Sequence, residues 1–256
     1  MVTLVAIACA GFIAQLVDGS LGMGYGVTST SLLLTLGLTP ALASASVHLA
    51  EIGTSGVSGF SHWRLGNVNG RVLLLHSQVL SDGVLRGGYL ETDYASFSAW
   101  RHWGHPHAGV HDCFGAAALV TADGAILLGV MGAHTFNAGR IYFPCGTPDP
   151  DDVIDGKVDL EFSVRRELKE ETGLDAAEFI AEPGWTVVVD GAFIVAIKAL
   201  RSPLNAEALR ARILERLARE RQPELSDIRI VRGPGDFDAM MPGFVTSFLA
   251  QWFAAS

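Results

Sequence analysis

Charged side chains are nearly absent from the first quarter of this 256-residue chain, and cysteine is scarce throughout. From Met1 to Gly70 the acidic and basic residues are Asp18, Glu51 and Arg64. The cysteines are far apart and show no Cys-x-x-Cys spacing: Cys9, Cys113 and Cys145. That pattern argues against both a disulfide framework and a structural zinc site.

Basic residues are also in deficit over the whole chain. There are 18 Lys and Arg against 27 Asp and Glu, so the formal net charge is -9. An acidic chain lacks the positive surface that a nucleic-acid polymer requires. It can still bind a small anion if a divalent cation lies between its carboxylates and the ligand. We therefore expect a small-molecule partner and no nucleic-acid polymer.

The change in composition near residue 70 predicts a domain boundary. Between Asp18 and Glu51 lie 32 residues without Asp, Glu, Lys or Arg, whereas nearly all remaining charge follows Gly70. We predict an α-helical hydrophobic segment, a linker or N-terminal extension, and an α/β domain, over 1–70, 71–110 and 111–256.

The first segment has the character of membrane helices. Val2 to Val17 is almost entirely apolar, and with Asp18-Gly19 it approaches the roughly 20 residues that span a bilayer. A signal peptide is the alternative, although no basic region precedes it. A glycine-rich break and a helix rich in Ala, Ser and Gly follow, and small residues let membrane helices approach closely. We expect 1–61 to associate with a membrane, with the basic Arg64 and Arg71 on the cytoplasmic side.

The stretch "GFIAQLVDGSLGMGYGVTSTSLLLTLGLTPALASASVHLAEIGTSGVSGFSHWRLGNVN" resembles the TauE/SafE family of sulfite and organosulfonate exporters. Members of that family carry many more spans in two related repeats, so the resemblance does not bring a complete transport path. A transport-related role stays open as an alternative. So does an accidental fusion, in which case the first seventy residues have no role and the protein is cytoplasmic.

After residue 110 the pattern alternates between strands and helices. The strands are "CFGAAALVT", "AILLGVM", "RIYFPCG", "DIRIV" and two runs around Asp190-Gly191 in "WTVVVDGAFIVAIKAL". "NAEALRARILERLARE" predicts a helix capped by Asn205, and "GFVTSFLAQWFA" predicts another. Helices with a mixed sheet make one layered domain. The preceding "RVLLLHSQVLSDGVL" fits either a strand pair or a short helix.

A charged helix, "VRRELKEETGL", places three carboxylates on one face. Glu167, Glu170 and Glu171 fall within an arc of about 100°. Like charges at helical neighbours cost roughly 0.2–0.5 kcal/mol each, so the bare helix gains nothing from this face. A divalent cation relieves the repulsion, and Mg²⁺ prefers oxygen ligands. Gly173 then ends the helix, where a left-handed residue is needed. The alternative is an ordinary solvated helix.

The same string resembles the second half of the Nudix box. The matching positions are Arg166, Glu167, Leu168, Glu170, Glu171, Gly173 and Leu174. In the first half, Gly146 and Asp152 keep the family's spacing, but Asp stands where the family has Glu. Thirteen residues then separate Asp152 from Arg166 where the family has seven, so the loop carries an insertion of six residues.

This resemblance implies a Nudix-type α/β/α sandwich with a mixed sheet. It implies that the three glutamates bind Mg²⁺ or Mn²⁺, and that one of them, or a carboxylate elsewhere, helps to deprotonate the attacking water. Arg166 is expected to be a structural partner of these carboxylates, and Gly146 to shape the loop beside them. The implied reaction is hydrolysis of an acid anhydride, a nucleoside diphosphate linked to another moiety. A Nudix fold that binds without turnover is the alternative.

Overall fold

The computed structural model describes Thr39 and residues 70–255. The chain divides into two compact units between Val68 and Asn69. The hydrophobic helices predicted over 1–70, and the membrane association predicted for 1–61, lie outside the described residues. Within 70–255 no helix combines the length and the apolar character needed to cross a membrane.

The second unit opens with a hairpin and then alternates strands and helices. In chain order the elements are β1 (Arg71–Ser81), β2 (Val84–Asp93), α1 (Tyr94–His102), β3 (Asp112–Val120), β4 (Ile126–Met131), β5 (Ile141–Tyr142), β6 (Val153–Ile154), β7 (Lys157–Val158), α2 (Leu160–Thr172), β8 (Ile180–Ala181), β9 (Thr186–Asp190), β10 (Phe193–Arg201), α3 (Ala206–Leu217), β11 (Leu225–Val231) and α4 (Gly243–Ala255). The strands and helices predicted after residue 110 are therefore present.

Seven of these strands form one mixed sheet in the order β11-β4-β3-β10-β8, with β5 added beside β4 and β9 beside β10. The pair β3–β10 is parallel, and the other pairs are antiparallel. Every residue of β3 is buried, which suits a central strand covered on both faces.

Helices cover both faces of the sheet. Successive side chains of a strand point to opposite faces. The neighbours of Phe114 and Gly115 in β3 therefore show what covers each face of the sheet. A methyl group on Gly115 would lie 2.5 Å from the Val164 side chain of α2. The Phe114 ring lies 5.8 Å from that of Phe244 in α4, centroid to centroid. The predicted α/β/α sandwich with a mixed sheet is confirmed.

The helix ends follow the predicted chemistry. The Asn205 side chain accepts a hydrogen bond from the Ala208 amide at 2.9 Å, at the start of α3. Gly173 follows α2 in the left-handed conformation, with φ 72°, and its amide bonds to the Lys169 carbonyl. Both caps satisfy backbone groups that a helix end leaves unpaired.

Residues 71–110 are an extension that packs onto the domain, and the strand-pair reading of "RVLLLHSQVLSDGVL" is confirmed. Val72 to Leu75 of β1 are buried. The Leu73 amide donates to the Pro148 carbonyl at 2.7 Å, and Leu75 exchanges backbone hydrogen bonds with His111. Helix α1 buries Phe97 and Trp100 against this hairpin.

A chain that starts at residue 69 should therefore fold, and one that starts at residue 111 should be severely destabilised. Removing β1 uncovers Cys113 and Ile194, which pack against Leu75. Each large apolar side chain that loses its burial costs about 1.5–3 kcal/mol, against a total stability of roughly 5–15 kcal/mol. Urea unfolding followed by circular dichroism measures this. Equal stability of the two chains would show that the hairpin is not part of the core.

Candidate active site

Helix α2 is fixed at both ends and presents its carboxylates to the loop before it. The Asp159 side chain accepts from the amides of Glu161 and Phe162, both at 3.0 Å. Val164 and Leu168 are buried at 1% and 0% exposure and anchor the helix on the sheet. The direction of the carboxylates is therefore set by apolar packing of the same helix.

The three predicted glutamates lie in different environments. The Glu170 side chain is 59% exposed and the Glu167 side chain 13%, whereas Glu171 is buried at 3%. One oxygen of Glu171, Oε1, accepts from the Cys145 amide at 3.1 Å. The other, Oε2, has no hydrogen-bond partner among the described residues. A buried carboxylate oxygen without a partner is costly in a finished core and is expected where a ligand binds.

Burial and mutual repulsion raise the proton affinity of these carboxyls. Burial raises the pKa of Glu167 to about 7, despite the neighbouring Arg166 charge, and Glu170 and Glu224 add to the rise. Burial also raises the pKa of Glu171 well above its usual range, with further contributions from Glu224 and Glu167. The cluster thus holds negative charge only at a cost, unless a cation or protons compensate it.

Gly146 lets the loop backbone reach these carboxylates. A methyl group at this position would lie 2.4 Å from Glu167 Oε1. No real contact of that kind is that short, so any other residue displaces the Glu167 carboxylate. The predicted role of Gly146, shaping the loop beside the glutamates, has this physical basis.

Arg166 ties the same loop to the helix. Its Nε and Nη2 donate to the two carboxylate oxygens of Asp152, at 3.2 and 2.9 Å. Its Nη1 lies 2.9 Å from Glu167 Oε1 and 3.3 Å from Glu170 Oε2. Asp152 is fully buried, and its Oδ2 also accepts from the Asp149 amide. Asp152 therefore acts here as a bidentate anchor for Arg166.

The six-residue insertion is a small hairpin that leaves this anchor in place. Strands β6 and β7 pair across a turn at Asp155-Gly156, both with positive φ. The Asp159 amide donates to the Asp152 carbonyl at 2.9 Å and closes the hairpin. The chain before the insertion is thus returned to the start of α2.

The structure adds a carboxylate that sequence reasoning missed. Glu224 immediately precedes β11 and is exposed, and its carbonyl accepts from the Gly132 amide at 2.8 Å. Its carboxylate lies near enough to raise the pKa of both Glu167 and Glu171. Its own pKa is raised by desolvation and by the charge of Glu170. A single acidic residue before a strand carries no local signal, so only the fold reveals it.

The donor chemistry of this cluster suits a hard divalent cation. The carboxylates offer oxygen ligands, one buried oxygen is unpaired, and Gly146 has no side chain that would displace Glu167. In the arrangement described, Arg166 engages Glu167 and Glu170, and Cys145 engages Glu171. Accordingly, no three His, Cys, Asp or Glu side chains within residues 70–255 converge closely enough to enclose a cation. Side-chain rotation is needed before these glutamates share one.

Comparison with known proteins finds different similarities for the two parts of the chain. The sequence model of the family described as "Sulfite exporter TauE/SafE" matches residues 7–99. A stretch of 69 residues is 62% identical to the probable membrane transporter protein YtnM of Bacillus subtilis. That stretch is 27% of this chain and spans only 23% of the transporter.

Solved structures similar to the chain include Nudix proteins. The MutT protein of Methanosarcina mazei aligns with a TM-score of 0.39 at 17% identity, over 57% of this chain and 94% of its own. The Nudix hydrolase RenU of M. smegmatis aligns with a TM-score of 0.36 at 17% identity, over 70% and 91%. Both scores lie below 0.5, so these likenesses establish nothing about what the chain binds or hydrolyses. The chain is thus similar to a TauE/SafE exporter at its N-terminus and to Nudix proteins in its α/β part.

Proposed function

We propose that the α/β domain is a metal-dependent hydrolase that cleaves the phosphoanhydride bond of a nucleoside diphosphate linked to another moiety. The observation that carries the proposal is the Glu171 carboxylate, buried and half unpaired between Glu167 and the Gly146 loop. The Nudix-box resemblance, taken from the sequence, assigns this reaction to such a glutamate set. A cation between the carboxylates and an anionic diphosphate is consistent with the net charge of -9.

Each residue has a distinct part in this proposal. Glu167, Glu170 and Glu171 hold Mg²⁺ or Mn²⁺, which when bound neutralises diphosphate charge and lowers the pKa of water. One of these glutamates, or a carboxylate elsewhere, accepts the proton of the attacking water. Arg166 and Asp152 position the loop, and Gly146 lets the loop lie against the Glu167 carboxylate.

The test is a panel of compounds in which a nucleoside diphosphate carries a second group, such as ADP-ribose and diadenosine tetraphosphate. The full chain is assayed with Mg²⁺, with Mn²⁺ and with excess chelator, and products are separated by chromatography. We expect cleavage between two phosphorus atoms that stops in chelator. Binding without turnover would instead establish the binding module, and activity in chelator would refute the metal assignment.

We also propose that residues 1–61 tether this hydrolase to a membrane, with the α/β domain on the cytoplasmic side. Support comes from the 32-residue uncharged stretch and from the match to an exporter family. Charged residues at a helix centre cost about 2.5–3.5 kcal/mol on insertion scales, and this stretch avoids them. After carbonate washing of fractionated cells, the full chain should remain in the membrane pellet. A chain starting at residue 69 is the control, and intact full-length protein in the soluble fraction contradicts the tether.

A further inference from the structure

A cavity of about 390 Å³ lies beside the candidate active site and shares its loop. Cys145 and Gly146 line it, and the Cys145 amide is the donor that holds Glu171. Ligand pockets occupy roughly 300–1,000 Å³, so the volume suits one small ring system. A group in this cavity is adjacent to whatever the glutamates hold.

Aromatic rings form the apolar walls of the cavity. Phe114 and Phe193 meet at 6.4 Å between ring centroids and Phe114 and Phe244 at 5.8 Å, both pairs close to edge-to-face. Tyr142 also lines it. Such walls suit a flat, aromatic ligand, because every nucleobase has a π-face that packs on aromatic side chains.

One carboxylate in the cavity is buried and only half satisfied. Asp112, the first residue of β3, is 3% exposed. Its Oδ2 accepts from the Thr147 hydroxyl at 3.1 Å, whereas Oδ1 has no hydrogen-bond partner among the described residues. Burial raises the pKa of Asp112 to about 6, against the opposing effects of Arg101 and Thr147. In the charged form Oδ1 is an unpaired acceptor, at a residue that lines the cavity.

The N-terminal extension adds a basic side chain, Arg101, to the lining of the cavity. Arg101 of α1 donates to Asn137 at 3.1 Å and lies over the exposed Phe136 ring at 4.4 Å. Asn137 in turn donates to the Tyr142 hydroxyl at 3.0 Å. The hydrogen bond and the ring contact hold Arg101 at the lining of the cavity, where its remaining N–H groups are donors. The cavity is therefore lined by both an acceptor and donors.

We propose that this cavity binds the nucleobase of the substrate, and that Asp112 selects a base carrying an amino group by accepting its N–H at Oδ1. The inference rests on the proposed function only for placing the phosphates at the glutamates. Guanine and adenine both present an amino donor beside ring or carbonyl acceptors. The N–H groups of Arg101 can donate to those acceptors. A base without the amino group leaves the buried oxygen unpaired, which costs affinity.

The test measures binding to the full chain by titration calorimetry at pH 8, with nucleoside monophosphates as probes. GMP is compared with IMP, and AMP with purine riboside 5′-monophosphate, since each pair differs by one amino group. At least one amino compound should bind about tenfold tighter than its counterpart, as expected for a hydrogen bond to a charged group. Monophosphates have no phosphoanhydride bond, so the result is independent of any hydrolysis. The hydrolysis assay can therefore fail while the preference for amino compounds is found, and the preference can be absent while hydrolysis is found.

Replacing Asp112 by Ala should reduce the preference to within about twofold. Glu215→Ala removes an exposed carboxylate on α3 that pairs with Arg219, and as the matched control it should keep the wild-type ratio. A preference that survives Asp112→Ala overturns the inference. If that variant does not fold, the wild-type protein alone still tests the inference. The inference is overturned if the wild type binds neither GMP nor AMP, or binds each no more tightly than its counterpart without the amino group.

Discussion

Replacing Glu171 by Gln lowers the rate of hydrolysis at least about a hundredfold, which corresponds to roughly 2.7 kcal/mol of barrier. The same change at Glu170 has a comparable effect. Gln keeps the size and the helix propensity of Glu, and at position 171 its carbonyl can still accept from the Cys145 amide. What is lost is the negative charge of a cation ligand. Steady-state rates at saturating Mg²⁺ measure the loss.

The matched control is Glu161→Gln on the same helix. Glu161 lies on the outer surface and pairs with Arg165 at 2.6 Å, so its neutralisation should leave the rate within about twofold, as surface changes do. Wild-type rates in both Glu170→Gln and Glu171→Gln would remove these residues from the mechanism. An equal loss of rate in Glu161→Gln would show that removing any negative charge from the helix lowers the rate, and not only the removal of a metal ligand.

The second large effect concerns stability and pH in the metal-free protein. The pKa of Glu167 is about 7 in the folded state against an ordinary 4.5, so the folded state keeps a proton that the unfolded chain releases. The free energy of unfolding should therefore fall as pH rises from about 4.5 to 7, and level off above. The shift corresponds to about 3 kcal/mol. Asp112 and Glu171 act in the same direction.

Urea unfolding in chelator, from pH 5 to pH 8, measures this slope. His105 contributes with the opposite sign, because burial lowers its pKa, so the comparison with Glu167→Gln isolates the carboxyl. The free energy of unfolding of that variant should change less with pH than that of the wild type, and it should be larger than the wild-type value at pH 8. Mg²⁺ added at pH 8 should stabilise the wild type, since a cation takes the place of the lost proton. Stability that rises between pH 5 and 8 in both proteins contradicts the account.

The features that were predicted from the sequence are those set by residues close together along the chain. The strand runs, the Asn205 cap and the left-handed Gly173 each follow from patterns a few residues long. The carboxylate face of α2 likewise follows from helical periodicity, because three glutamates within five residues have one geometry on a helix. The family resemblance implied that Gly146 shapes the loop beside the glutamates, and the contact of Gly146 with Glu167 itself is visible only in the fold.

What the sequence did not reveal depends on pairing between distant segments. Glu224 reaches the cluster because β11 pairs with β4, and nothing around Glu224 signals this. Arg101 faces Asn137 because the β1–β2 hairpin and α1 fold back onto the domain. The six-residue insertion left the role of Asp152 open until the structure placed its carboxylate against Arg166. Long-range contacts of this kind have no periodic signature.

Hydrolysis in ¹⁸O-labelled water tests the central claim most directly. The compound of the panel that is hydrolysed fastest is incubated with the full chain and Mg²⁺, and the masses of the products are determined by mass spectrometry. Attack of water on phosphorus predicts one ¹⁸O atom in a phosphate group of one product, with about a hundredfold less labelled product, or less still, from the Glu171→Gln variant over the same time. Label in a sugar or other carbon-bound position, or phosphate products without label, would contradict a phosphoanhydride hydrolase at this site.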